Sequence, residues 1–236
     1  PELVKKKYFK NYNLIQKIIN PDNLFQFIAN NNIKIIYHLG AISDTTYKNH
    51  NKQWLDNVIF STKLWRGCSL SNIRFIYASS AATYGNGDEG FEDIEDIKFL
   101  KKLKAMNVYG WTKNQVDIRN IFLKNTYGLK PSQWVALKFF NVYGINEFHK
   151  EDMISIVLKT FLQIKNNKET HLFKSYKKKY PDGDQERDFV YVKDCISALL
   201  WFLENEKISG VFNIGTGQAN TFNNLVYAVY KSLKKN

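Results

Sequence analysis

Tyr109 and Lys113 stand four residues apart in the run Asn107-Val108-Tyr109-Gly110-Trp111-Thr112-Lys113. On a helix that spacing puts a phenol and an ammonium on one face. A free phenol, with a pKa of about 10, is a poor base at neutral pH. A lysine one turn away favours the phenolate, so the pair could take a proton from an alcohol and return it. The spacing by itself is cheap: Tyr227/Lys231 and Tyr230/Lys234 share it, and in their terminal amphipathic stretch it reads as incidental. Tyr109 is singled out by its place after Tyr77-Ala78-Ser79-Ser80-Ala81-Ala82-Thr83-Tyr84-Gly85. Two hydroxyls followed by two alanines suit neither a core nor a surface. A hydroxyl at a strand end can donate to a developing oxyanion; the other reading is an ordinary serine turn.

Further candidates follow other apolar runs. His38-Leu39-Gly40-Ala41-Ile42-Ser43 offers small residues that let a ligand approach the backbone, or simply make a tight turn. Phe139-Phe140-Asn141-Val142-Tyr143-Gly144 puts a polar Asn directly off an apolar run, and His149-Lys150 comes soon after. Lys150 could be a base or a phosphate partner, although in a lysine-rich chain a surface lysine is the commoner meaning. Gly85-Asn86-Gly87-Asp88-Glu89-Gly90 formally matches the glycine fingerprint of dinucleotide sites. Asp88 and Glu89 would repel a pyrophosphate, and no amphipathic helix opens at Gly87, so the match is rejected.

These candidates need elements to hold them. Residues 33–37, 74–78, 135–140, 189–192 and 211–214 read as short buried strands. Residues 51–68, 108–125, 153–164 and 194–204 carry helical apolar periodicity. Strands alternating with helices predict a parallel sheet covered on both faces, with ligands outside the carboxyl ends of the strands. The fold class is therefore α/β, a doubly wound parallel sheet. Residues 144–186 break the rhythm and are expected to form part of a smaller lobe. At 236 residues, 44% hydrophobic and 15% aromatic, the chain can close a core. It carries 34 Lys+Arg against 22 Asp+Glu. Only Arg66, Arg74, Arg119 and Arg187 supply the guanidinium fork that nucleic-acid readers favour, so the charge reads mainly as solvated surface. No run reaches the roughly 18 apolar residues of a membrane span. The opening PELVKKKYFKNYN lacks the apolar stretch of a secretory signal. Cys68 and Cys195 have no metal-like spacing and the histidines are scattered, so no disulfide scaffold or metal site is expected, and a cytoplasmic location is.

Taken in order, HLGAISDTT (38–46), YASSAATYG (77–85), NVYGWTK (107–113), FFNVYG (139–144) with HK (149–150), RDFVYVKD (187–194), LWFLEN (200–205) and GVFNIGTG (210–217) resemble the extended short-chain dehydrogenase/reductases that act on nucleotide sugars. Within these they resemble the ADP-L-glycero-D-manno-heptose 6-epimerases of lipopolysaccharide core precursor synthesis. The resemblance implies a Rossmann-type fold, with a nucleotide-binding domain over 1–143 and 187–219 and a substrate-binding domain over 144–186 and 220–236. It implies bound NADP, with NAD as the other option, an ADP-heptose or related nucleotide sugar as substrate, a homo-oligomer, and no nucleic-acid or membrane partner. Residue by residue it makes Ser80 the hydroxyl stabiliser, Tyr109 one acid/base, Lys113 its activator and ribose anchor, and Lys150 the second acid/base. Leu39, Gly40, Ala41, Ile42, Ser43, Asn57 and Val142 match cofactor contacts. Asn141, Phe173, Lys174, Ser175 and Arg187 match substrate contacts, Arg187 being suited to a diphosphate by its fork.

The chain departs from the family at Asp152 and Lys159, in a long 177–186 loop, and at both ends. It is expected to be truncated, starting after the family's Gly-rich cofactor turn and stopping before its last strands. Two other functions stay open. One is a related enzyme acting on a different nucleotide sugar, as 4-epimerase, dehydratase or reductase. The other is a non-catalytic fragment. A dehydratase places an acid beside the catalytic hydroxyl, where this chain has Ala81 and Ala82.

Overall fold

The computed structural model describes residues 20–166, 169–172, 174–175 and 180–233. In chain order the elements are α1 (Leu24–Asn30), β1 (Ile35–His38), α2 (His50–Gln53), a π-helical segment (Trp54–Ile59), α3 (Phe60–Leu70), β2 (Arg74–Ser80), α4 (Ile97–Lys102), α5 (Val108–Tyr127), β3 (Trp134–Phe139), β4 (Asn141–Tyr143), α6 (Ile156–Lys165), β5 (Glu186–Tyr191), α7 (Val192–Glu204), β6 (Gly210–Ile214), β7 (Ala219–Thr221) and α8 (Phe222–Ser232). They fall into two compact units. Of the described residues, one takes 20–139 and Leu200–Ile214; the other takes those within Phe140–Leu199 and 215–233.

The first unit holds a four-stranded parallel sheet in the order β1-β2-β3-β6, in register through Ile36↔Phe75, Ile76↔Val135 and Leu137↔Phe212. Phe75, Ile76, Val135, Ala136 and Leu137 are fully buried. Strands covered on both faces need continuous apolar runs, and this is why β2 and β3 are legible as such. Helices flank the sheet. Trp65 of α3 packs edge-on against Phe75, Tyr77 and Trp134 and donates its indole N–H to the Leu129 carbonyl at 2.9 Å. Helix α5 starts at Asn107, whose side chain accepts from the Gly110 amide, and ends at Gly128 in the left-handed region, φ 65°. The architecture is Rossmann-type.

The second unit has a three-stranded sheet in the order β4-β5-β7 and a core where Ile164 of α6 meets Leu225 and Val229 of α8. Here the expected late strand is corrected. Residues 186–191 do form β5, but it pairs with β4 and β7 and not with the main sheet. Its first half is Glu186-Arg187-Asp188, and only Val190 of its six residues is buried. A strand so polar cannot sit inside a sheet covered on both faces. The helix expected over 51–68 is present, with the wide turn Trp54–Ile59 inserted, which the apolar period did not signal. Cys68 and Cys195 are free and buried, and burial raises the Cys68 thiol to about 12. No described helix is long and apolar enough to cross a membrane, and the described residues contain no group of metal-ligating side chains.

His38 ends β1 between the Phe60 and Phe75 rings, with Nε2 2.8 Å from the Ser61 hydroxyl. Burial, helped by the Lys113 charge, holds its pKa down to about 4. The unfolded chain binds this proton below about 6.5 and the folded chain does not, so stability falls as pH drops from 6.5 towards 4. Replacing His38 by Gln is expected to remove about 2–3 kcal/mol of that pH dependence, read from urea unfolding between pH 4 and 7.

Candidate active site

Strand β2 delivers Ser80 to its carboxyl end, where the Ser80 Oγ accepts from the Ala82 amide at 3.1 Å and opens the short 3-10 turn Ala81–Tyr84. Helix α5 presents Tyr109 in its first turn and Lys113 one turn on. The Lys113 Nζ lies 6.0 Å from the centre of the Tyr109 ring. It donates to the Ala78 carbonyl of β2 at 2.8 Å, its one hydrogen bond among the described residues. Lys113 is 3% exposed, and desolvation lowers its pKa to about 8, with the Asp117 charge working the other way. Burial raises the Tyr109 phenol, and a hydrogen bond with Ser80 opposes the rise. Tyr109 itself is only partly buried. Hydroxyl, phenol and ammonium thus lie near one another at the end of β2, and the two remaining Lys113 donors have no acceptor among the described residues.

Helix α5 reaches this position because Gly110 has no side chain. A Cβ there would lie 2.5 Å from the Ala82 carbonyl oxygen and 3.1 Å from the Ala105 Cβ. The helix thus meets the turn after Ser80 backbone to backbone.

Behind these residues lies a polar cluster that the sequence reading missed. Asp117, two turns after Tyr109, accepts from the Tyr77 hydroxyl at 3.0 Å, the Ser79 hydroxyl at 2.7 Å and the Lys138 ammonium at 2.9 Å. Lys138 also donates to the Thr83 hydroxyl at 2.9 Å, and Thr83 donates to the Ser80 carbonyl at 2.8 Å. Both charged side chains are fully buried. The available signal was a lysine inside the apolar run Val135-Ala136-Leu137-Lys138-Phe139.

At the carboxyl end of β1, Leu39, Gly40, Ala41 and Ser43 are exposed and Ile42 is partly buried; a Cβ on Gly40 would meet nothing within 4 Å. Asn57 is bonded within the protein. Its amide oxygen accepts from the Ile42 N–H at 2.8 Å, and its amide nitrogen donates to the Ile42 carbonyl at 3.0 Å and the Thr112 hydroxyl at 3.1 Å. With 1% exposure, Asn57 ties the loop to α5. The rejected glycine motif is a chain of turns: Gly87 donates to the Tyr84 carbonyl and Gly90 to that of Gly87. Those amides are spent internally and are not available to a phosphate.

The other candidates belong to the second unit. Asn141 is exposed and Val142 partly buried on β4. Lys150 is exposed, its Nζ 3.7 Å from the Glu147 carboxylate. Glu147 is buried and accepts from the Gly144 amide and from both the amide and hydroxyl of Ser155, each at 2.8 Å. Lys174 is exposed, and the Ser175 amide donates to Asp182 at 2.7 Å. The exposed Arg187 guanidinium lies 5.9 Å from the centre of the Phe222 ring. Phe173 lies outside the described residues.

A parallel sheet with a serine, a tyrosine and a lysine gathered beyond one of its strands defines a Rossmann-type domain of the short-chain dehydrogenase/reductase kind. The chain belongs to the NAD dependent epimerase/dehydratase family, whose description matches residues 5–215. It is 42% identical over 222 residues to an ADP-L-glycero-D-manno-heptose-6-epimerase of Fusobacterium nucleatum, covering 92% of this chain and 66% of that protein. It is 41% identical over 203 residues to the protein of that name from Nitratidesulfovibrio vulgaris, covering 86% and 61%. Among solved structures, the ADP-L-glycero-D-manno-heptose-6-epimerase of Helicobacter pylori superposes with a TM-score of 0.73 at 32% identity, covering 92% of this chain and 62% of that one. A UDP-N-acetylglucosamine 4-epimerase from Methanobrevibacter ruminantium gives 0.74 at 25% identity, covering 91% and 64%. The chain thus spans about two thirds or less of the length of these relatives.

Gly110→Ala should force α5 away from the Ala82 carbonyl. The expected cost is about 1–3 kcal/mol in urea unfolding, with a larger fractional loss of turnover than of folded protein at 25 °C.

Proposed function

We propose that the protein inverts C6 of ADP-glycero-manno-heptose, interconverting the D- and L-glycero epimers for lipopolysaccharide core precursor synthesis. The observation that carries this reading is the meeting of the Ser80 hydroxyl, the Tyr109 phenol and the Lys113 ammonium at one strand end. Likeness to relatives named for this reaction supports the choice of sugar.

The inverted carbon is a carbinol whose C–H is too weak an acid for direct deprotonation. A nicotinamide dinucleotide, when bound, supplies the acceptance and return of hydride that such an inversion needs. This chain's residues fit one. Leu39, Gly40, Ala41 and Ser43 form an exposed small-residue run with open space at Gly40, and Ile42 is anchored to Thr112 through Asn57. Lys113 keeps two donors for ribose hydroxyls. We take NADP as the cofactor, with Val142 as a further contact.

Tyr109 takes the proton of the sugar hydroxyl and gives it back. The Lys113 charge favours its phenolate, and Ser80 holds the sugar oxygen by a hydrogen bond that strengthens as charge develops. A second proton-transfer group is needed for the opposite face, and Lys150 is the proposed one. Asn141, Phe173, Lys174, Ser175 and Arg187 are the proposed substrate contacts, with Arg187 on the diphosphate. The protein is proposed to act in the cytoplasm as a homo-oligomer.

Incubating the whole protein with the ADP-D-glycero sugar and following the epimer ratio by NMR should show approach to a mixture of both epimers. Tyr109→Phe should slow this by about 10²–10⁴-fold with the thermal midpoint little changed. No inversion by folded, cofactor-loaded protein would refute the reading, as would turnover of UDP- or GDP-sugars in its place.

A further inference from the structure

Tyr109 and Lys113 ride on α5, whereas Ser80 ends β2, so the site needs something to fix helix against strand. We propose that Asp117 is the positioning residue that does this, one buried carboxylate locking α5 to β2 and β3 with an anion one helical turn behind the Lys113 ammonium. The inference rests on the reading of Tyr109 and Lys113 as the proton-transfer pair, and it goes beyond that reading in assigning a role to a residue that cannot touch a ligand.

Each bond of the cluster leads to an element that carries the site. Tyr77 and Ser79, which donate to Asp117, flank Ala78, whose carbonyl holds Lys113. Lys138 reaches from β3 to Asp117 and, through Thr83, to the backbone of Ser80 itself. Lys138 also lies over the Tyr84 ring, 5.0 Å from its centre, closing the turn after Ser80. Both charges have no exposure. A fully buried ion pair is poor value for stability alone, because a well-packed apolar pair of similar volume often does as well or better. Its arrangement around Ser80 and Lys113 gives it a use that an apolar pair would lack.

The charged and titratable groups facing Lys113 are Tyr109 and Asp117 on α5 and His38 on β1, while Tyr77 on β2 and Lys138 on β3 reach it only through Asp117. Of these, Asp117 is the carboxylate, and its charge favours the protonated amine. Removing it should let Lys113 lose its proton at lower pH, whereas breaking the same ion pair from the other side should not.

The test is the titration of Lys113 in the whole protein by ¹³C-lysine NMR, its signal assigned by loss in Lys113→Arg, in three variants. Asp117→Asn should lower the midpoint by about one pH unit. Asp117→Asn/Lys138→Met, which leaves neither member of the ion pair without its partner and so decides the matter should the single variant unfold, should lower it as well. Lys138→Met, which destabilises the fold but keeps the carboxylate, should not lower it. An unchanged midpoint in the two Asp117 variants, or an equal fall in Lys138→Met, would overturn the proposal. No substrate or turnover enters this measurement, so a negative result here stands apart from a negative in the epimer assay.

Discussion

A lysine ammonium held almost wholly out of water needs partners, and the structure around Lys113 follows from that need. One partner is the Ala78 carbonyl, near the carboxyl end of β2. A second is the distant charge of Asp117, which partly offsets the desolvation that brings the Lys113 pKa to about 8. Satisfying the ammonium in this way draws α5 onto β2, and the missing Cβ of Gly110 lets the backbones come together. The same cation lies beside the Tyr109 ring and depresses the pKa of His38. One buried charge therefore shapes the fold locally and the chemistry together.

The polar groups of this unit divide by what they do. Asp117, Lys138, Thr83 and Ser79 spend hydrogen bonds on one another and on backbone, as buried groups must. Asn57 likewise spends its amide on Ile42 and Thr112. In front of them, Tyr109 and two donors of Lys113 remain for a ligand, beside an exposed small-residue loop after β1. A satisfied rear shell behind an unsatisfied front is what preorganisation requires. The phenol is raised by burial in this arrangement, so its activation depends on positive charge nearby. Lys113 is one source, and an oxidised nicotinamide would be a second.

Much of this was legible in the residues. Strands β2 and β3 carry buried apolar runs because both faces are covered. The order of the serine pair, the tyrosine and the lysine pointed to one strand end without any knowledge of contacts. Strand β5 was placed in the wrong sheet, because a short run containing Phe189 and Val190 looks alike in either setting and only the preceding Glu186-Arg187-Asp188 argues against the main sheet. The π-helical segment leaves no mark on a periodicity count of this length. Asp117 and Lys138 were invisible as a pair, since 21 residues of chain separate two charges that only the packing of α5 against the sheet brings together. Asn57 was found by resemblance, but its amide geometry, set by Ile42 and Thr112, lies beyond anything spacing conveys.

The central claim is that Lys113 and a bound oxidised nicotinamide together make Tyr109 a proton-transfer group near neutral pH. Titrating Tyr109 by ¹³C-tyrosine NMR, with and without the oxidised dinucleotide, tests this most directly. The account predicts a midpoint above the ordinary phenol range without the dinucleotide, a fall below that range with it, and loss of most of that fall in Lys113→Met. A midpoint that stays raised in the loaded protein, or one that falls equally without the Lys113 amine, would contradict it.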